Sequence, residues 1–346
     1  MRFTRNLMLA VASLGLVVPA VSVTAAPTHP ARPPQPTEGR LLASGLQGTV
    51  GATIGPDGAL YVAEGRLGKI TRIDPSSGKA TTFFSGLPPA VLPPEALRIG
   101  GAVDVAFIGT TAYALVTLVT SELGGNGVNG IYRLNGDGSY TIVADLGAFS
   151  AANLPPVYDL TTGLQFALQP IAGGFLVSDG HHNRVLRVTL AGDVGTTTQL
   201  IQFGNVVPTG LAVSHGTVFV SEVGPVPYLP AGGKVVSFGL ADPAPSAMDV
   251  ASGFSAIVDV EFGPDGVLYA LSQGDSPSGV VNPADPAAPN SGKLLRVNDD
   301  GTFSVLVDEL NLPSSLDFVG DTAFVVTLNG EVWKVKNVSK LGGHRR

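Results

Sequence analysis

Five carboxylates occupy two recurring positions of the sequence. Glu64, Asp179 and Glu222 each end a short apolar run, whereas Asp104 and Asp259 stand inside such runs. If the fold gathers these groups, their mutual repulsion raises some of their pKa values, and a bound cation relieves that repulsion. Oxygen ligands alone favour Ca²⁺ or Mg²⁺ over softer metals. The first question is therefore whether the fold brings the five carboxylates to one place.

Several familiar catalytic patterns are missing from the sequence. There is no cysteine, which excludes thiolate nucleophiles and cysteine-type zinc sites. No two histidines have the HExxH spacing, and there is no Gly-x-Ser-x-Gly elbow, EF-hand loop or phosphate-binding glycine loop. We expect His181 and His182 to be solvated turn residues rather than ligands.

Charge and composition narrow the class of protein. The 346 residues include 20 basic and 27 acidic side chains, for a net charge of −7, and 44% of residues are hydrophobic. This hydrophobic content predicts a folded chain, and the acidic balance argues against nucleic acid or an anionic membrane as partner. We expect a monomer.

The N-terminal segment has the pattern of a secretory signal. Arg2 and Arg5 precede an apolar run over 7–18, and small residues follow at 23–25. This order predicts a signal peptide over 1–25 and a secreted or periplasmic protein; a membrane anchor is the alternative, but the run falls short of a bilayer span. A Pro-rich spacer over 26–37 follows, and 339–346 form a basic tail.

One strand pattern occurs six times along the chain. The turns Gly55-Pro56-Asp57-Gly58 and Gly263-Pro264-Asp265-Gly266 each precede an apolar run, and Pro-Asp-Gly favours a tight turn. Similar runs follow at 111–115, 174–178, 217–221 and 322–326. Each copy has a third strand, and five copies have a fourth. The sixth copy lacks its fourth strand, which we assign to Leu42–Leu46 at the start of the chain.

Four short strands repeated about every 50 residues predict an all-β, six-bladed β-propeller over residues 38–338. In this fold the N-terminal strand completes the last blade, closes the ring and covers an exposed edge. No apolar period of 3.6 residues is sustained after the signal, so helices should be scarce.

The propeller places all five carboxylates on one face, around the mouth of the central channel. Asp104 and Asp259 belong to blades 2 and 5 and should oppose each other across it. The loops over 116–129, 223–233 and 272–292 are long on this face, where binding residues concentrate. Tyr228 is a candidate aromatic contact. The competing interpretation is that Glu64, Asp179 and Glu222 tie down the turns that follow them; Asp104 and Asp259 are equally open to either role.

Two resemblances accompany this pattern. The stretch Val177-Ser178-Asp179-Gly180-His181-His182-Asn183-Arg184-Val185 resembles NHL-repeat propellers. The mature chain resembles the ScyD/ScyE family over Pro208–Val213, Val220–Gly224 and Gly253–Val260. These resemblances imply an exported propeller, and most relatives have no assigned reaction.

Three functions remain open at this stage. The favoured one is a binding or accessory protein whose channel face, with Glu64, Asp104, Asp179, Glu222, Tyr228 and Asp259, holds a small organic ligand or a partner protein. The alternative is a lactonase-like or lyase-like enzyme that uses Ca²⁺ or another divalent cation, held by Glu64, Asp104 and Asp259. Lactonases of this kind also bind their metal through Asn side chains, whereas Thr209 occupies the position where such an Asn would be expected. A purely structural surface protein is the third hypothesis.

Overall fold

The computed structural model describes residues 39–94, 97–226, 229, 231–275 and 287–341. The expected signal peptide, the Pro-rich spacer, Tyr228 and the last five residues of the basic tail lie outside these described residues. Within them, no helix is long and apolar enough to cross a membrane.

Twenty-four strands form six four-stranded sheets, the blades. The first strand is β1 (Gly39–Ala43). Blade 1 has β2 (Thr49–Ile54), β3 (Leu60–Glu64), β4 (Lys69–Ile73) and β5 (Ala80–Ser85), and blade 2 has β6 (Gly101–Ile108), β7 (Thr111–Thr117), β8 (Gly130–Leu134) and β9 (Tyr140–Asp145). Blade 3 has β10 (Gln165–Ile171), β11 (Gly174–Asp179), β12 (Arg184–Ala191) and β13 (Val194–Gln202), and blade 4 has β14 (Pro208–Ser214), β15 (Thr217–Glu222), β16 (Gly233–Gly239) and β17 (Met248–Phe254). Blade 5 has β18 (Ile257–Phe262), β19 (Leu268–Ser272), β20 (Gly292–Val297) and β21 (Phe303–Leu310), and blade 6 has β22 (Pro313–Val319), β23 (Thr322–Thr327) and β24 (Val332–Lys336).

The six blades form a ring, so the prediction of an all-β, six-bladed propeller is confirmed. Every blade is an antiparallel meander, and the innermost strands β2, β6, β10, β14, β18 and β22 contact one another in that order and back to β2. Blades 2 and 5 are three apart and therefore face each other. We call the face where the second strand of each blade ends the loop face; those strands end at Glu64, Thr117, Asp179, Glu222, Ser272 and Thr327.

The Pro-Asp-Gly turns work as the sequence indicates. Gly58 and Gly266 have φ values of +75° and +74°, a conformation that glycine adopts without strain. Asp57 Oδ1 accepts the Ala59 N–H at 3.2 Å, which holds the turn closed before β3 begins.

The hydrophobic core lies between adjacent blades. The ring centroids of Tyr113 in blade 2 and Phe175 in blade 3 are 4.9 Å apart in an edge-to-face contact. Tyr269 in blade 5 and Phe318 in blade 6 approach similarly, at 5.1 Å. Because each blade buries a face on both neighbours, the ring leaves only the outermost strands exposed.

Strand β1 lies beside β24 as the outermost strand of blade 6, with Gly39 opposite Val335 and Leu41 opposite Trp333. It begins and ends about three residues before the predicted 42–46. Whether the ring depends on this strand for its stability stays a prediction.

Helices are few among the described residues. The only α-helix there, α1 (Leu146–Ala152), follows β9 directly. Strand β9 ends at Asp145 because Asp145 Oδ1 accepts the Ala148 N–H at 2.7 Å and caps the helix.

Candidate functional site

A β-bulge interrupts the first part of every innermost strand. The register against the second strand shifts at Thr49/Ala52, Ala102/Asp104, Gln165/Leu168, Pro208/Leu211, Ile257/Asp259 and Pro313/Ser315. A bulge redirects the side chains that follow it. In blade 3 the shift spans Gln165 to Leu168, and Ala167, which lies within it, lines the channel.

Asp104 and Asp259 occupy equivalent positions in opposite blades and make equivalent bonds. Asp104 accepts N–H groups from Val105 at 2.8 Å and from Leu168 of the next blade at 2.7 Å. Asp259 accepts the N–H groups of Val260 at 2.9 Å and Leu316 at 2.7 Å. Each carboxylate therefore joins its own blade to the following one.

A glycine of the preceding blade makes room for each of these carboxylates. A Cβ atom on Gly51 would lie 2.3 Å from Asp104 Oδ1, and one on Gly210 would lie 2.2 Å from Asp259 Oδ1. Contacts this short are sterically forbidden, so any side chain at these positions would displace the carboxylate.

Two further carboxylates, Glu261 and Asp317, lie two residues beyond Asp259 in blade 5 and Ser315 in blade 6. Asp317 Oδ1 accepts the Phe318 N–H at 2.6 Å, and its Oδ2 accepts the Ile54 N–H of blade 1 at 2.5 Å. Glu261 Oε1 accepts only the Phe262 N–H, at 2.9 Å. Neither residue was predicted as part of the site, although the period of two along a strand places both on the same side as Asp259 and Ser315.

The four carboxylates line one cavity of about 290 Å³ at the centre of the ring. All six innermost strands contribute to its wall, which also includes Thr53 and Gln169. No lysine, arginine or histidine belongs to the lining among the described residues. The cavity is therefore acidic without an internal counter-charge.

Burial governs the ionisation of this cluster. It raises the pKa of Asp259 to about 7, helped by the negative charge of Asp317 and opposed by the N–H groups of Leu316 and Val260. It likewise raises the pKa of Asp317 to about 6. Both groups consequently change charge close to neutral pH.

The other two carboxyl groups are shifted further. Burial raises the pKa of Asp104 well above its usual range, and the charges of Asp259 and Asp317 add to the effect. Burial also raises the pKa of Glu261, and the negative charges of Asp317 and Asp259 raise it further. The cluster therefore holds protons at neutral pH unless a cation replaces them.

Glu64 is engaged within blade 1. Its Oε1 lies 2.9 Å from Lys69 Nζ and accepts the Thr71 hydroxyl, and its Oε2 accepts the Gln47 N–H at 2.9 Å. The side chain is 1% exposed. These bonds fit the interpretation that Glu64 ties down the chain around it.

Glu222 has the equivalent place in blade 4 but fewer partners. Its Oε2 is buried without a hydrogen-bond partner and lies 3.8 Å from Lys234 Nζ, which instead contacts Asp249 at 2.7 Å. Burial raises the pKa of Glu222 to about 7, with Lys234 opposing and Asp249 adding to the shift.

Asp179 belongs to a fully buried network. Its Oδ2 lies 3.1 Å from both Arg184 Nε and His182 Nδ1. Arg184 Nη1 donates to the Asn153 carbonyl at 2.7 Å, and His182 Nε2 lies 2.8 Å from the Leu160 carbonyl. The network fixes the connection between blades 2 and 3. The expectation that His182 is a solvated turn residue was wrong, because its ring fills this network.

Of the six residues predicted for the site, the structure brings Asp104 and Asp259 together in the cavity. Glu64, Asp179 and Glu222 do not line it, and Tyr228 lies outside the described residues. Among the described residues, no group of three or more acidic or histidine side chains is arranged to hold a metal ion. Of the three predicted metal ligands, Asp104 and Asp259 share the cavity and Glu64 does not.

Comparison with known proteins shows the fold. No family model matches the chain, and no curated protein matches it in sequence. Among solved structures, a gluconolactonase from Xanthomonas campestris is similar at 14% identity, with a TM-score of 0.58 over 92% of this chain and 97% of that one. A PQQ-bound aldose sugar dehydrogenase from Streptomyces coelicolor gives 15% identity and a TM-score of 0.54, over 88% and 99%. A structure of the nidogen/laminin complex gives 14% identity and a TM-score of 0.52, over 77% and 85%. The chain is thus similar in fold to proteins that include two enzymes and a nidogen/laminin complex.

Proposed function

We propose that this protein is an exported binding protein whose central cavity takes up a small, positively charged ligand. The observation that carries the proposal is the cavity of about 290 Å³, lined by Asp104, Asp259, Glu261 and Asp317 and, within the described residues, by no basic side chain. A cation that enters replaces protons and offsets the repulsion among the carboxylates. Export is supported by the signal pattern over 1–25.

The positions of the carboxylates support binding rather than packing alone. Asp104 and Asp259 are held by backbone N–H groups of two blades each, so the rigid ring pre-organises them and little entropy is lost on binding. Glu261 has a second oxygen without a bond in the described part of the chain. It is the carboxylate most available to a ligand.

The experiment is titration of the purified mature protein with CaCl₂, MgCl₂ and 1,4-diaminobutane at pH 8, by calorimetry and by thermal melting. A ligand that binds only the folded state stabilises it by about 2.7 kcal/mol at 100 times its dissociation constant. We expect Glu261→Gln to weaken this binding. Asp193→Asn is the control, because it removes an exposed charge that pairs with Arg133 away from the cavity. If none of the three probes binds, or if Glu261→Gln and Asp193→Asn behave alike, the proposal fails.

A second candidate function is hydrolysis of a lactone or a similar ester. The carboxyl groups of Asp259 and Asp317, with pKa values of about 7 and 6, are suited to proton transfer at neutral pH, and the fold is similar to that of a gluconolactonase. In this hypothesis one carboxylate removes a proton from water as the water attacks the ester carbonyl. The acyl C–O bond of the lactone then breaks, and a protonated carboxyl group gives its proton to the departing alkoxide. Release of acid from δ-gluconolactone, slowed about 100-fold or more by Asp259→Asn, would support it. No release above the uncatalysed rate would exclude that substrate.

A further inference from the structure

A second cavity lies on the loop face, away from the channel carboxylates. It has a volume of about 270 Å³ and lies between the loop after β7 and the segment that starts α1. Its polar lining residues carry hydroxyl, amide and carboxylate groups: Thr120, Ser121, Asn126, Asn129, Asp145 and Thr162. Much of its wall belongs to the long loop over 116–129 that the sequence indicated, although none of its lining residues was predicted as a site residue.

The walls of this cavity are fixed by bonds between separate segments. Glu122 accepts the N–H of Thr161 at 2.8 Å and that of Thr162 at 3.2 Å, and both threonine hydroxyls donate to it at 3.0 Å. Asn129, which is fully buried, accepts the Val119 N–H through Oδ1 at 3.1 Å. The cavity is thus part of the folded framework.

Some polar groups at the cavity are left without protein partners in the described structure. Thr120 Oγ1 makes no hydrogen bond, but it is buried and therefore does not face the cavity. Asp145 Oδ1 caps α1, whereas its Oδ2 makes no hydrogen bond to another described residue. The N–H groups of Gly147 and Ala148 are already bonded, at 2.9 Å and 2.7 Å.

The composition of the lining selects the ligand. The described lining residues include one carboxylate and no lysine, arginine or histidine, so neither an anion nor a strongly charged cation is matched. Hydroxyl and amide groups beside a single carboxylate oxygen complement a ligand that both donates and accepts through several hydroxyl groups. Gly147 leaves room for such a ligand, because a Cβ there would lie near the lining residues Asn129, Asp145 and Thr162.

We propose that this cavity binds a neutral, polyhydroxylated molecule of monosaccharide size, and that Asp145 Oδ2 accepts a hydrogen bond from one of its hydroxyl groups. The proposal is independent of the channel ligand, because the two cavities share no lining residue.

The test is an NMR titration of the mature protein with D-glucose, D-galactose and D-mannose, with phosphate and 1,4-diaminobutane as charged probes. At least one sugar should shift the amide signals of Thr120 and Ala148. Asp145→Asn replaces the Oδ2 acceptor with an amide donor, while Asn still caps α1 through its Oδ1. It should weaken sugar binding at least about fivefold, as expected for one hydrogen bond, without lowering Tm. The control Asp193→Asn removes an exposed carboxylate away from this cavity and should leave binding unchanged.

A second variant tests the shape of the cavity. A Cβ on Gly147 would lie 3.3 Å from Asn129 Cβ and 3.5 Å from Asp145 Oδ1, so Gly147→Ala narrows the floor while alanine favours the helix. It should weaken sugar binding and keep the fold. The proposal is overturned if no sugar shifts these signals, if only a charged probe does, or if both Asp145→Asn and Gly147→Ala bind as tightly as the wild type.

Discussion

Glu222→Gln should stabilise the protein at alkaline pH. Glu222 is 2% exposed, and its Oε2 has no hydrogen-bond partner. Its pKa of about 7 compares with an ordinary value of 4.5. A carboxyl group with a raised pKa loses stability as the pH rises from its unfolded pKa to its folded one, because the buried group must then ionise.

The magnitude follows from the shift. A difference of about 2.5 pKa units, at about 1.36 kcal/mol each, gives about 3.4 kcal/mol lost between pH 4.5 and pH 8. Glutamine carries no charge and avoids this loss. We therefore expect Glu222→Gln to raise the free energy of unfolding by about 2–3 kcal/mol at pH 8 and to change it little at pH 4.

Glu64→Gln is the matched control, since Glu64 opposes Lys69 as Glu222 opposes Lys234. In blade 1, Thr71 and the Gln47 N–H complete the bonds of the carboxylate; in blade 4, Val236 stands in the place of Thr71. Removing the charge of Glu64 should therefore destabilise the protein at pH 8. The assay is urea unfolding of both variants and the wild type between pH 4 and pH 8. If Glu222→Gln lowers stability at pH 8, or if its pH profile runs parallel to that of the wild type, the assignment of a strained buried carboxylate is incorrect.

Three further outcomes are expected. Without added cation, Asp259→Asn should raise the free energy of unfolding by about 1–3 kcal/mol at pH 8, because about 1.4 kcal/mol accompanies each unit of raised pKa. The variant should also lose most of the stabilisation by CaCl₂. If thermal melting shows a neutral or destabilised variant, Asp259 has a structural role. Deleting Arg40–Leu46 should cause insolubility or a large drop in Tm, because β24 loses its partner strand β1. Deleting 26–37 should change Tm little. Equal, small effects of the two deletions would show that the ring does not need this strand. Asp179→Asn should lower the free energy of unfolding by about 3–5 kcal/mol in urea, because it leaves Arg184 buried without its charge partner. The exposed control Asp193→Asn should lower it by less than about 1 kcal/mol. Similar losses in the two variants would contradict a structural role for the buried network.

The fold could be predicted because it repeats. Each copy needs an apolar second strand for the core and a tight turn before it, and the Pro-Asp-Gly turns show both in the sequence. Asp145 shows where this approach fails. The residue ends a strand and also caps a helix, and a local apolar pattern does not separate the two.

The site was predicted only in part, for a physical reason. Asp104 and Asp259 follow the strand pattern, but the bulges that redirect the innermost strands leave no regular sequence signature. Glu261 and Asp317 were missed for another reason: one position was considered in each innermost strand, whereas the period of two places them on the same side as Asp259 and Ser315. Glu64 and Glu222 were grouped with the channel because they share its face. The basic residues opposite them, Lys69 and Lys234, were the signal for ion pairing within a blade.

If a cation replaces protons on the channel carboxylates, its binding must release those protons into solution, where they can be counted. Calorimetric titration with CaCl₂ or 1,4-diaminobutane at pH 6.5, in two buffers of different ionisation enthalpy, gives the number of protons released. With the pKa of Asp259 at about 7 and those of Asp104 and Glu261 raised well above their usual range, binding should release protons in the wild type and fewer in Asp259→Asn. Binding without proton release, or release that Asp259→Asn leaves unchanged, would place the cation outside this cavity.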